Sequence, residues 1–132
     1  MQKAYTALDA EFTIGDEAAD AINVAIQLKG PSSTDLQARA SVLAYLSDDA
    51  YGDSVVATEP SGAVAIGTDG LLIPILTGAS AAELAKSIFQ LTSESDGDID
   101  IDITEAGAKT LYLVLVMPDG RLVVSDAIAF AA

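Results

Sequence analysis

Residues 98–104 read Asp98-Ile99-Asp100-Ile101-Asp102-Ile103-Thr104, a strict alternation of polar residues, three of them carboxylates, with isoleucines. Successive side chains of a β-strand point to opposite faces of its sheet, so a period of two predicts a half-buried strand. We expect the three isoleucines in a core and the three aspartates in solvent. Carboxylates on an outer face also discourage edge-to-edge aggregation.

The same period extends outward from this stretch along most of the chain. Ile22, Val24, Ile26 and Leu28 share one face of a second predicted strand. Pro74 has no N–H to donate to a ladder, so the strand around it is predicted to lie at a sheet edge. Turn residues separate the other candidate strands, which are Ala38 to Leu46, Val55 to Thr58, Ala63 to Ile66, Leu71 to Leu76, Ile88 to Thr92, Lys109 to Met117 and Arg121 to Phe130.

Eight or nine short strands with frequent turn signals predict an all-β fold, built either as a sandwich or as a barrel. The clearest hairpin joins the last two candidate strands through Pro118-Asp119-Gly120. One short helix is predicted near Ala81 to Lys86, because Ser80 and Glu83 have the spacing of a capping box. A jelly-roll barrel is the closest alternative to a sandwich with Greek-key connections.

The first twenty residues differ from the rest, with five acids and few large apolar residues. We therefore divide the chain into an extended N-terminal arm, residues 1–20, and a β-sandwich domain, residues 21–132. The arm is predicted to contribute to docking rather than to folding, and the alternative is an ordinary frayed terminus. Apolar side chains carry most interface energy, so the expected interface anchors are Tyr5, Leu8, Phe12 and Ile14, joined by Tyr51 in an acidic turn.

The charge balance argues against several classes of function. The chain has 6 Lys and Arg against 20 Asp and Glu, a formal net charge of −14, and its cations are scattered. Nucleic-acid and anionic-membrane binding need a basic surface, so neither is expected. The chain has no Cys and no His, which removes thiolate zinc sites, disulfides and the commonest general base. No catalytic residue, cofactor or metal is predicted, and we expect that the protein is not an enzyme.

Two acidic segments are the alternatives to that expectation. Residues 96–102 resemble a cation-binding loop in composition, but EF-hand spacing places Ile101 at position six and Gly107 at position twelve, where a Gly and a Glu are needed. A solvated strand face is the preferred interpretation, with a calcium site as the alternative. The loop around Asp48, Asp49 and Asp53 is interpreted as a turn, with a weak cation site as its alternative.

Nothing near the N-terminus resembles a secretory signal, since Asp9 and Glu11 precede any apolar run. The longest strongly apolar run, Leu111 to Met117, is too short to span a bilayer. We therefore expect synthesis in the cytoplasm, followed by retention there or by release, either as part of an assembly or by lysis.

The stretch from Ile22 to Phe130 resembles immunoglobulin-like domains of bacterial and phage surface proteins. It lacks the paired Cys and core Trp of antibody-type domains. The order of turns and strands in the second half is similar to that of an invasin-type repeat. The segments that carry the resemblance are residues 22–28 and 42–48, Gly67-Thr68-Asp69-Gly70, residues 96–107, Thr110-Leu111-Tyr112-Leu113-Val114 and Pro118-Asp119-Gly120-Arg121.

The whole chain is also similar to small proteins encoded among tailed-phage structural genes, in which immunoglobulin-like domains decorate or cement capsids. That resemblance implies an immunoglobulin-like β-sandwich, a place in the virion, and the major capsid protein or another virion protein as partner. A homo-oligomer is left open. The alternative function is a tail-fibre, adhesin-like or carbohydrate-binding accessory domain. Because fold alone does not fix function, the resemblance transfers no functional residue.

Overall fold

A computed structural model of the chain describes residues 7, 9–75 and 87–131. Its regular elements are almost all strands, apart from a 3₁₀ turn at Pro31–Ser33. The helix predicted near Ala81 to Lys86 lies outside the described residues. The strands are β1 (Asp9–Ile14), β2 (Ala21–Lys29), β3 (Ser41–Ser47), β4 (Val64–Ile66), β5 (Leu71–Pro74), β6 (Ile88–Thr92), β7 (Asp98–Thr104), β8 (Lys109–Val116), β9 (Leu122–Val124) and β10 (Ile128–Phe130).

These strands form two antiparallel sheets that pack as a sandwich, which confirms the predicted fold class. The first sheet has the order β1-β2-β7-β4. The second has the order β10-β8-β3-β6-β5, with β9 also paired to β8. β5 lies at one end of its sheet, as its proline predicts. The segment 55–58, a candidate strand in the sequence, forms a loop instead.

The core lies between the sheets and is built from the alternation that the sequence shows. Ile99, Ile101 and Ile103 on β7 are fully buried, as predicted. Their cross-strand neighbours on β2 are the apolar residues of that strand, with Val24 opposite Ile101. The second sheet contributes its own alternating set, namely Val42, Ala44, Leu46, Phe89, Leu91, Leu111, Leu113 and Leu115.

The N-terminal segment corrects the expected division at residue 20. Asp9–Ile14 is not an arm that precedes the sandwich, because it pairs along its whole length with β2. Phe12 and Ile14 face inward and pack against the core. Outward-pointing acids such as Glu11 interrupt the apolar pattern of β1. The sequence of this six-residue strand is therefore similar to that of an acidic, unstructured tail. Residues 1–6 and Leu8 lie outside the described residues.

The last hairpin is interrupted where the sequence predicts a continuous strand. Ser125, between β9 and β10, is buried, and its hydroxyl accepts a hydrogen bond from the Leu113 amide at 3.0 Å. The same hydroxyl donates to the Asp126 carbonyl at 2.8 Å. The serine hydroxyl takes the place of a backbone carbonyl in the hydrogen bonding with β8. The second strand of the hairpin therefore pairs with β8 as two short strands, β9 and β10.

Candidate docking surface

The acidic outer face of β7 is less solvated than the sequence predicts. Asp100 is only 8% exposed, although it was expected in solvent. Its carboxylate accepts hydrogen bonds from the Thr68 amide at 2.9 Å, the Asp69 amide at 2.6 Å and the Asn23 side-chain amide at 2.7 Å. Burial opposes ionisation of Asp100, but these donors outweigh it and lower the pKa of its carboxyl. Asp100 therefore fastens the loop before β5 onto the first sheet.

Asp98, two residues earlier, has the opposite tendency. Its pKa is raised by burial first, then by a hydrogen bond with the carboxyl of Asp69 and by the charges of Asp69, Asp96 and Asp100.

Across residues 7, 9–75 and 87–131, no group of three or more Asp or Glu side chains is arranged to hold a metal ion. In the described part of the chain there is also no helix of the length and apolarity needed to cross a membrane.

The acidic loop after β3 is shaped by its own carboxylates. Asp49 accepts hydrogen bonds from the Tyr51 amide at 2.8 Å and the Asp53 amide at 3.2 Å. Asp48 accepts one from the Ala57 amide at 3.0 Å. These bonds hold the backbone around Tyr51, whose side chain is 78% exposed. The predicted interface residue Tyr51 is thus presented to solvent on a loop with several internal hydrogen bonds.

The same loop covers one end of the outer face of the second sheet. The Tyr45 hydroxyl, on that face, donates a hydrogen bond to the Gly52 carbonyl. Burial raises the pKa of Tyr45, and the charges of Asp49 and Asp53 raise it further. A Cβ on Gly52 would lie 3.0 Å from Val114, and the φ of Gly52 is +71°. Glycine permits this close approach, and Val114 is buried although it points away from the core.

Beyond the loop, the outer face of the second sheet is open and apolar. Leu43 is 41% exposed, Leu71 56%, Ile73 50% and Leu122 40%. None of the outward side chains of these strands carries a charge. We call this set the uncharged face, and its members are Ser41, Leu43, Tyr45, Ser47, Leu71, Ile73, Ile88, Gln90, Thr92, Thr110, Tyr112, Val114, Val116, Leu122 and Val124.

The register joins the exposed residues into a continuous band. Ile73 lies opposite Gln90, Gln90 opposite Leu43, Leu43 opposite Val116, and Val116 opposite Leu122. This row crosses five strands, and neighbouring strands lie about 4.8 Å apart, so it is roughly 19 Å long. A single row thus links three of the four exposed aliphatic residues, and Leu71 lies two residues along β5 from Ile73.

The outer face of the first sheet is different in kind. Its outward positions include Glu11 on β1, Lys29 on β2, and the three aspartates of β7. Lys29 itself is held by Asp35 at 2.6 Å and Glu11 at 3.8 Å. The sandwich therefore has one charged outer face and one uncharged outer face.

The five predicted interface residues do not lie on one surface. Tyr5 and Leu8 are outside the described residues. Phe12 and Ile14 pack against the core, because β1 is a strand of the first sheet, so little of either side chain remains for a partner. Of the three that the structure describes, Tyr51 is the exposed one, at the border of the uncharged face. The sequence alone did not identify Leu43, Leu71, Ile73 and Leu122 as surface residues. A signal was present, because the strands that carry them have apolar residues at consecutive positions, and successive residues of a strand point to opposite faces.

Comparison with known proteins gives a likeness in fold only. No family model matches the chain, and no curated protein matches it. Among solved structures, it is similar to a cohesin module from the family 33 glycoside hydrolase of Clostridium perfringens ATCC13124, at 13% sequence identity and a TM-score of 0.43. The match covers 96% of this chain and 98% of that module.

Proposed function

We propose that the chain is a non-catalytic protein-binding domain that docks on another protein through the uncharged face. One observation carries the proposal. In a chain with a net charge of −14, the outward positions of five adjacent strands have no charged residue, and four of them are exposed Leu or Ile. Charged residues are depleted at the centres of protein interfaces, whereas scattered single hydrophobic residues are ordinary on any surface.

The border of the uncharged face supports a protein partner with basic groups. Asp48, Asp49 and Asp53 surround Tyr51 in the loop at one end of the face. An apolar centre with a polar rim is the usual anatomy of a protein interface. Carboxylates on the rim would steer a basic partner and fix its orientation more than they raise affinity. Tyr51 has the large, rigid and amphipathic side chain that interfaces favour.

The partner we propose is a virion protein, and the chain would decorate or cement a phage capsid. This setting rests on the resemblance of the sequence to small proteins of tailed-phage structural genes. The chain would be made in the host cytoplasm and incorporated into the particle. The sequence led us to expect the N-terminal segment to dock on the partner. Because β1 belongs to the sandwich, we propose that the uncharged face docks instead.

Replacing Leu43 with Asp tests the docking face. The change places a carboxylate in the middle of the apolar row, where a bound partner would leave it buried and unpaired. We expect binding to purified phage particles to weaken by at least 30-fold, as for an interface hot spot worth about 2 kcal/mol or more. The matched control is Thr13→Asp, an exposed position on the outer face of β1.

The two parts of the proposal fail in different ways. Circular dichroism and melting curves should show both variants folded, since both positions are solvent-exposed. If Leu43→Asp and Thr13→Asp bind particles as the unchanged chain does, the uncharged face is not the docking surface. Native mass spectrometry of purified particles tests the setting, where a copy number in fixed ratio to the major capsid protein is expected. Absence of the chain from the particles would remove the virion partner.

A further inference from the structure

A cleft of about 490 Å³ lies at the end of the uncharged face opposite to the Tyr51 loop. Its walls are Arg39, Gly70, Leu71, Thr92 and Glu94. Leu71 and Thr92 are cross-strand neighbours on the uncharged face, and Thr92 also lies opposite Ser41. Arg39 lies two residues before the start of β3 at Ser41, and Glu94 lies two residues after the end of β6 at Thr92. A molecule docked on the uncharged face would therefore extend over this cleft.

Arg39 differs from the other cations that the structure describes. Lys29, Lys109 and Arg121 each have a carboxylate within 4.0 Å. For Arg39, no such ion pair is found within residues 7, 9–75 and 87–131. Arg39 is an exposed residue, and its guanidinium donates a hydrogen bond to the Ser93 carbonyl at 3.3 Å. A guanidinium has five N–H donors in a planar fork, so most of its hydrogen-bonding capacity faces the cleft and solvent.

We propose that Arg39 is a specificity-determining residue that binds one Asp or Glu side chain of the docked partner. The inference rests on the proposed docking function of the uncharged face. A guanidinium matches a carboxylate bidentately, and such pairs add geometric specificity as well as energy. Apolar contacts on Leu71 would position the partner beside Arg39. Glu94, which also lines the cleft, would repel a second carboxylate, so the partner has a single acid here, next to apolar residues.

Selection from a displayed library of random peptides tests this inference without a known partner. The immobilised targets are the unchanged chain, Arg39→Glu, Arg39→Lys and Leu43→Asp. Against the unchanged chain we expect binders with apolar residues and one Asp or Glu at a fixed position. Against Arg39→Glu we expect Lys or Arg at that position, because the charge of the wall is reversed. Arg39→Lys should keep the acid but bind the original peptides about tenfold more weakly, since Lys lacks the planar fork.

The outcomes separate this inference from the docking proposal. If peptides selected on the unchanged chain are lost with Leu43→Asp but show the same acid preference with Arg39→Glu, the uncharged face docks and Arg39 does not select the partner. If the selected peptides bind Leu43→Asp as strongly as the unchanged chain, the docking proposal itself fails. If binders on the unchanged chain have no acid at a fixed position, the role of Arg39 is overturned directly.

Discussion

Glu105 is a buried carboxylate whose ionised form is stabilised by the fold. It is buried directly after β7, where its carboxylate accepts hydrogen bonds from the Gly107 amide at 2.9 Å and the Ser61 amide at 3.1 Å. The Lys109 ammonium lies 3.2 Å away. The Gly107 amide is the largest cause of a pKa lowered to about 2, and the Ser61 and Lys109 contacts lower it further against the opposing effect of burial. One carboxylate thus joins the 59–62 loop to the β7–β8 turn.

Replacing Glu105 with Gln should destabilise the domain in a pH-dependent way. The folded pKa is below the ordinary value of 4.5, so the carboxylate stabilises the fold fully above pH 4.5 and loses that effect as the pH falls toward 2. The shift corresponds to roughly 3 kcal/mol at neutral pH. Urea unfolding at pH 7 and pH 2.5 measures the free energy of unfolding of Glu105→Gln and of the unchanged chain, with the exposed Asp126→Asn as control. An equal difference between Glu105→Gln and the unchanged chain at both pH values would contradict this role.

Asp100 shows where prediction at single residues succeeds and where it fails. The alternation in residues 98–104 predicts the buried isoleucines correctly, because a period of two is a local property of the strand. The burial of Asp100 depends on Thr68 and Asp69, which are about thirty residues away in the sequence. The local sequence around Asp100 does not show that the loop with Thr68 and Asp69 covers this aspartate.

Strand β1 is the element that the sequence obscures. Its inward residues Phe12 and Ile14 are only two large apolar side chains, and acids occupy much of the surrounding segment. Its structure depends on pairing with β2, where Phe12 lies opposite Ile26 and Ile14 opposite Val24. Edge strands with short apolar patterns are stabilised by such partners rather than by their own propensity. The same limit applies to β3 and β5, whose consecutive apolar residues do not show which face is covered.

Replacing Phe12 with Ala should lower the free energy of unfolding by about 2–3 kcal/mol. Complete burial of Phe gives losses of about 3–5 kcal/mol, and Phe12 is partly buried against the core. Thermal or urea unfolding measures the loss, and Thr13→Ala, at the adjacent outward position, is the control. A Phe12→Ala variant as stable as the unchanged chain, but weaker in particle binding, would restore the interpretation of this segment as a docking arm.

At the scale of the whole molecule, charge is distributed unevenly between the two outer faces. The chain has a net charge of −14, yet the outward side chains of the uncharged face carry no charge. The fold positions this face simply by pairing β5, β6, β3, β8 and β9 in one sheet. The acidic composition was evident from the sequence. The segregation of charge was not, because it depends on strand order, which brings residues 43, 73 and 122 into one row.

The most direct test of the account is a side-chain footprint of the chain bound to purified phage particles. Hydroxyl radicals oxidise exposed Leu, Ile and Tyr side chains, and carbodiimide coupling labels exposed carboxylates such as Glu11. On binding, we expect oxidation of Leu43, Leu71, Ile73 and Leu122 to slow several-fold, while labelling of Glu11 stays unchanged. Protection of Glu11, with Leu71 and Ile73 oxidised as fast as in the free chain, would show that the domain docks through its other face.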